Sequence, residues 1–95
     1  MALAAVSDVE ILEIVKSALG ITGDYQNDTL SIYISGVKEY MIAGGVQIDV
    51  VNSTLAVGAI CRGVADLWNY GAGNTNFSAY FMQRVTQLAY EGSVE

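Results

Sequence analysis

The sequence predicts an all-α fold: a small bundle of about four helices with a long loop between helices 2 and 3, forming one domain over residues 1–95. Three observations point there. Apolar residues recur three and four positions apart in four separate segments, the period of a helix with one buried face. Clusters of Gly and Asn divide the segments, and the chain contains no Pro. The first segment opens on Ser7-Asp8-Val9-Glu10, a capping box in which hydroxyl and carboxylate each accept from the other residue's backbone N–H.

The first helix is predicted over Ser7 to Leu19, with Val9, Leu12, Val15 and Leu19 as its apolar face, Ile11 and Ala18 alongside, and Gly20 as its stop. Asp8, Glu10 and Glu13 complement the positive end of its dipole. A turn at Ile21-Thr22-Gly23-Asp24 leads to the second helix, about Asn27 to Ala43, capped by Asp24 or Asn27. Its face is Leu30, Tyr33, Ile34, Val37, Tyr40 and Met41, and Gly44-Gly45 ends it. Val46-Gln47-Ile48-Asp49-Val50 alternates apolar and polar residues, which reads as an extended segment or an irregular loop.

The third helix is predicted from about Asn52 to Tyr70. Ala56, Ile60, Val64 and Leu67 mark its stripe, Ala59, Gly63 and Trp68 widen it, and only Arg62 and Asp66 carry charge. So broad an apolar surface belongs to a central helix. The small residues Ala56, Ala59 and Gly63 admit close approach of another helix, of this chain or of a neighbouring subunit. After Gly71 to Asn76, a second breaker cluster, the fourth helix is predicted from about Phe77 to Tyr90. Asn76 or Ser78 caps it; Phe77, Phe81, Val85 and Leu88 face inward, with Tyr80, Met82 and Ala89 at the edges. Gly92, Ser93, Val94 and Glu95 read as a tail.

Composition narrows the function. Of 95 residues, 53% are hydrophobic and 15% charged, with 4 cations against 10 carboxylates, a net charge of -6 and no His. A domain of this size buries only about 60–65% of its unfolded surface, so surplus apolar surface calls for a membrane or a partner. The longest charge-free stretch, Leu67 to Gln83, is broken by Asn, Thr and Ser, and a span needs about 20 mostly apolar residues. The apolar Met1 to Val6 lacks a preceding cation and does not read as a signal peptide. A partner is therefore the expected home. Four scattered cations are too few for general nucleic-acid binding, which draws its affinity from Lys and Arg.

Catalytic and metal motifs are sparse. A single Cys gives no disulfide framework and suits a reducing cytosol, and the lack of His removes the usual general base and metal ligand. Cys61 beside Arg62 reads as a small buried hydrophobe rather than a reactive thiol. Asp24, Gln26 and Asp28 resemble the start of a calcium loop, but Thr29 and Ser35 stand where Gly and Glu are needed. Gly20-Ile21-Thr22-Gly23 matches the Gly-x-x-Gly clamp of KH domains but lacks flanking cations. No catalytic residue, cofactor or metal site is expected. Six aromatics, Trp68, Tyr70, Phe77, Tyr80, Phe81 and Tyr90, crowd the last third of the chain. Such residues are enriched at interfaces, so this set is the candidate subunit or partner surface.

The order of these segments resembles a known family. Leu19-Gly20-Ile21 leads to Asp24 and Asp28, followed by Leu30, Ile34, Val37 and Tyr40. Leu55-Ala56 then runs through Ala59 to Leu67-Trp68-Asn69, and Phe77-Ser78-x-x-Phe81-x-x-Arg84-Val85-x-x-Leu88 completes the pattern. Over roughly Ser7 to Tyr90 the chain is similar to the small head–tail connector, or adaptor, proteins of tailed bacteriophages and prophages. Gly36 departs from the pattern, where Ala is expected.

The resemblance implies a non-enzymatic virion structural protein, made in the host bacterial cytoplasm and placed at the portal vertex. It implies a homo-oligomeric ring, commonly twelve-fold, that docks on the portal protein, lengthens the DNA channel and carries the stopper or tail-completion protein. DNA passes through such a ring without specific binding. A ring subunit needs apolar flanks for two neighbours, and an acidic lumen keeps like-charged DNA from sticking. Asp24, Asp28, Glu39 and Asp49 are candidate channel or rim acids, and Gly92 to Glu95 a candidate portal-docking tail that orders by β-addition. Two rivals make different predictions. A helix-turn-helix regulator needs a basic recognition helix, which is missing. An acidic interaction or carrier module with no phage role, similar in size and charge to acyl carrier proteins, needs a modifiable Ser where Thr29 stands.

Overall fold

The computed structural model describes residues 4–70 and 77–93. Five helices follow one another: α1 (Asp8–Leu19), α2 (Asn27–Ala43), α3 (Ile48–Val51), α4 (Val57–Tyr70) and α5 (Ala79–Ser93). A 3-10 turn at Thr54–Ala56 leads directly into α4. Among the described residues there is no β-strand, only one antiparallel bridge between Ala5 and Ser53. The fold is the expected all-α bundle, with α3 as a single additional turn inside the long loop.

The ends of α1 are those the sequence specifies. The Ser7 hydroxyl accepts from the Glu10 N–H and the Glu10 carboxylate accepts from the Ser7 N–H, both at 3.1 Å. Gly20 closes the helix with φ of 72°, its N–H donating to the carbonyls of Lys16 and Ser17. The buried face is the expected one except at Val9: Leu12 and Leu19 pack against the core. Ile11 and Val15 enter the core while Val9 is 72% exposed. Apolar residues surround α1 on several sides, so periodicity alone does not select the buried stripe.

α2 buries Leu30, Ile34, Val37 and Met41 as its spacing requires. Neither expected cap is used: Gln26 occupies the N-cap without a side-chain bond. The Asp24 carboxylate instead accepts from Lys16 Nζ at 3.1 Å and from Asn27 Nδ2 at 3.5 Å. Lys16, on α1, is 6% exposed, and a buried ammonium requires an opposing charge. That need draws Asp24 away from the helix terminus.

The alternating segment after Gly45 is neither extended nor irregular throughout. Val46 is buried, and Ile48 to Val51 make a helical turn that buries Val50 and Val51. The following helix begins at Val57 rather than Asn52. Ser53 interrupts it: extended, 1% exposed, it donates to the Val50 carbonyl at 2.7 Å and accepts from the Leu55 N–H at 3.2 Å. The N-terminal segment fixes that break, with Val6 N–H on the Asn52 carbonyl and Thr54 N–H on the Ala4 carbonyl.

α4 is the central helix, packed by α1, α2 and α5. Ala56, just before it, and Ala59, Ile60, Val64 and Leu67 along it are all buried. Its small residues serve packing within the chain. A β-carbon on Gly63 would stand 2.7 Å from Phe81 Cε1 and 2.9 Å from Val37 Cγ1, so α2, α4 and α5 meet at the missing side chain. The breaker cluster 71–76, with the Asn76 cap candidate, lies outside the described residues.

α5 starts at Ala79 and is capped by Ser78, whose hydroxyl accepts from the Phe81 N–H at 3.3 Å. It continues to Ser93, so Gly92 and Ser93 belong to a helix rather than a tail. A lone Gly in a helix costs about 1 kcal/mol relative to Ala, too little to end one whose backbone bonds continue. Val94 and Glu95 lie outside the described residues. The molecule measures 40 × 28 × 17 Å. A slab about two helix layers thick leaves every helix an outward face.

Candidate interaction surfaces

A buried carboxylate positions α5 against α4. Asp66 is 3% exposed; its Oδ2 accepts from the Ser78 N–H at 3.0 Å and its Oδ1 lies 3.4 Å from Arg62 Nε. The same Arg62 nitrogen donates to the Ser78 hydroxyl at 3.1 Å. The i,i+4 pair legible in the sequence is thus half of a clasp on the first turn of α5. The other half, Ser78, lies beyond a breaker cluster and carries no sequence signal of the contact.

The candidate aromatics whose side chains are described differ in burial. Phe81 is fully buried and is a core residue, not an interface anchor. It stacks on Phe77 at 4.5 Å between ring centroids and on Tyr40 at 5.7 Å, while Phe77 and Tyr40 lie 4.9 Å apart. Phe77 and Trp68 are half-buried, Trp68 meeting the edge of Tyr33 at 6.5 Å. Tyr80 and Tyr90 are 59% and 71% exposed, which leaves them on the outside of α5. The Tyr70 side chain lies outside the described residues.

Further apolar side chains outside the predicted inward faces are exposed. Ile32 is 69% exposed on the outer face of α2, with Ile42 near its end, and Met82 is half exposed on α5. A shallow groove of about 350 Å³ runs between the end of α2 and α5, lined by Tyr40, Ala43, Gly44, Met82, Val85 and Thr86. Tyr25, 85% exposed, stands in the turn before α2. The signal that finds them is the mismatch between helical period and total apolar content.

The four candidate acids are all exposed, but their surroundings differ. Asp24 is tied to Lys16, and Asp49 accepts from the Val50 N–H. Asp28 and Glu39 make no ion pair or hydrogen bond among the described residues. They lie on the outer face of α2, eleven positions apart and so nearly aligned along the helix. Among the cations, Lys16 pairs with Glu13 and Asp24, Lys38 with Asp8, and Arg62 with Asp66. Arg84 alone faces no carboxylate among the described residues. Its guanidinium donates to Gln87 Oε1 at 3.1 Å and to the Leu55 carbonyl at 3.3 Å.

Cys61 is not activated as a nucleophile. Burial pushes the Cys61 thiol up, away from the thiolate that reaction requires; Cys61 is half-buried against the core. Glu10 is held below the usual carboxylate range by the Ser7 backbone N–H and then by the Ser7 hydroxyl, the electrostatic consequence of its capping role. Among the described residues no group of three or more acidic or Cys side chains is placed to hold a metal ion. No helix among them is long and apolar enough to cross a membrane.

No family model matches the chain, and no curated protein or solved structure is significantly similar to it.

Proposed function

We propose that the protein is a self-assembling structural adaptor: a ring-forming subunit that docks on a phage portal, extends the DNA channel and carries the stopper or tail-completion protein. The observation that carries the reading is the outward apolar surface. Ile32, Tyr80, Met82 and Tyr90 are roughly half exposed or more on the outer faces of α2 and α5 of a thin slab. Scattered single hydrophobics are ordinary on a surface. Here Ile32 lies on the outer face of α2, while Tyr80 and Met82 flank the buried Phe81 on opposite sides of α5, which suits contacts with neighbours on two flanks. The segment order from Leu19 to Leu88 adds the connector resemblance, and the exposed Asp24, Asp28, Glu39 and Asp49 suit a channel or rim that repels DNA.

Sedimentation velocity over a concentration series, followed by negative-stain imaging with and without a portal ring, tests the proposal. Rings, alone or templated on the portal, are expected. A chain that stays monomeric at millimolar concentration and leaves the portal unchanged refutes it.

A further inference from the structure

We propose that two specific helix faces form the contact between neighbouring copies: the Tyr80-Arg84-Gln87 face of α5 in one copy against the Asp28-Ile32 face at the start of α2, with Tyr25 in the turn before it, in the next. The inference rests on the self-assembly reading above and names the surfaces it uses.

Charge distribution comes first. Seven of the ten carboxylates precede Asn52, against two of the four cations. From Asn52 to Tyr90 the sequence has one acid, Asp66, against two cations, Arg62 and Arg84. The chain is therefore strongly acidic in its first half and weakly basic across α4 and most of α5. A second copy presents to each half the charge it lacks, which favours unlike faces meeting over like faces.

The local pairing state sharpens this. Three cations already have carboxylates within their own chain; Arg84 has none among the described residues. Two hydrogen bonds hold its guanidinium in place, which reduces the entropy lost on engaging a carboxylate. Asp28, on α2, is exposed and likewise without a partner among the described residues.

Spacing then selects the register. Tyr80 and Arg84 are four positions apart on α5, and Ile32 and Asp28 are four apart on α2 in the reverse direction. Helices laid antiparallel put Arg84 on Asp28 and Tyr80 on Ile32 in one register. The apolar pair covers side chains 59% and 69% exposed in the isolated chain. In this arrangement Asp28 belongs to the subunit contact, and the channel or rim acids reduce to Asp24, Glu39 and Asp49.

Charge reversal tests it, on the full chain, with thermal unfolding followed by circular dichroism to verify that each variant folds. Arg84→Glu and Asp28→Arg alone should each weaken self-association roughly tenfold or more, the scale of a close interfacial charge pair. The double variant should recover it. A one-to-one mixture of the two single variants should also recover it, because each altered face then meets its altered complement. If Arg84→Glu assembles like the parent, or if the mixture fails to recover, the contact is wrong while self-assembly stands. If the parent chain neither self-associates nor builds on a portal, the adaptor reading fails with it.

Discussion

The same substitution at two glycines should change stability in opposite directions. Gly36 and Gly63 both lie inside helices, α2 and α4. Replacing Gly by Ala in a helix interior gains about 0.8–1.0 kcal/mol from backbone propensity. At Gly36 an added β-carbon meets nothing within 4 Å, so the whole gain should appear. At Gly63 it would lie 2.7 Å from Phe81 Cε1 and 2.9 and 3.0 Å from the two Val37 methyls. Carbon atoms prefer a separation of about 3.5–4.0 Å, so the contact is short by about 1 Å toward Phe81. Neither neighbour yields easily, since both are fully buried and the β-branch of Val37 fixes its rotamer.

Overpacking of this kind costs about 1–3 kcal/mol. With three short contacts the upper half of that range applies. Less the propensity gain, Gly63→Ala should lose about 1–2 kcal/mol, and the two variants should differ by about 2–3 kcal/mol. Equilibrium urea unfolding followed by circular dichroism measures this, at concentrations low enough that association does not add to stability. For a domain of this length 1 kcal/mol moves Tm by about 4–8 °C, so thermal scans should show one variant above the parent and one below. A Gly63→Ala chain as stable as the parent would refute the three-helix contact, and a destabilised Gly36→Ala chain would show that α2 is covered at that point.

Phe81→Ala should lose about 3–5 kcal/mol as a fully buried aromatic, measured by the same unfolding curves; a loss under 1 kcal/mol would return Phe81 to the surface. Asp66→Ala should lose about 1–3 kcal/mol by leaving the Ser78 N–H without its acceptor and Arg62 without its ion-pair partner, and hydrogen exchange should speed first at the start of α5. Glu10 supplies a pH dependence. Its folded pKa lies below the unfolded one, so its contribution is complete above the ordinary carboxylate range and declines as pH falls through the folded value. Glu10→Gln should flatten the stability profile at and below the ordinary carboxylate range; an unchanged slope would assign it to another carboxylate.

Much of the fold was legible because its signals are local. The capping box at Ser7 and Glu10, the left-handed stop at Gly20 and the face of α2 each depend on residues within a turn or two. What escaped depends on distant partners. Lys16 reads as an exposed cation in the last turn of α1, yet it is buried because Asp24 returns over it after the turn. The start of α4 moves from Asn52 to Val57 because residues 4–6 pair with 52–54, a contact no window around Asn52 contains. Helical period separates Phe81 from Tyr80, but the Gly63 gap that receives the Phe81 ring lies across the bundle and has no signal near Phe81.

That gap also constrains how copies can meet. The stripe Ala56, Ala59 and Gly63 suggests a place where a neighbouring helix approaches closely, but Phe81 and Val37 already occupy it. No partner can enter there without unfolding the subunit. The surplus apolar surface must therefore act elsewhere, on the outer faces of α2 and α5, where side chains are larger and charges intervene. A contact built there draws less from shape and more from charge placement than one built on the small-residue stripe. Its strength should accordingly fall with added salt, more steeply than the stability of the folded subunit, and sedimentation at low and high ionic strength separates the two. Equal sensitivity would mean that assembly and folding share the same apolar core, contrary to the enclosure of Gly63.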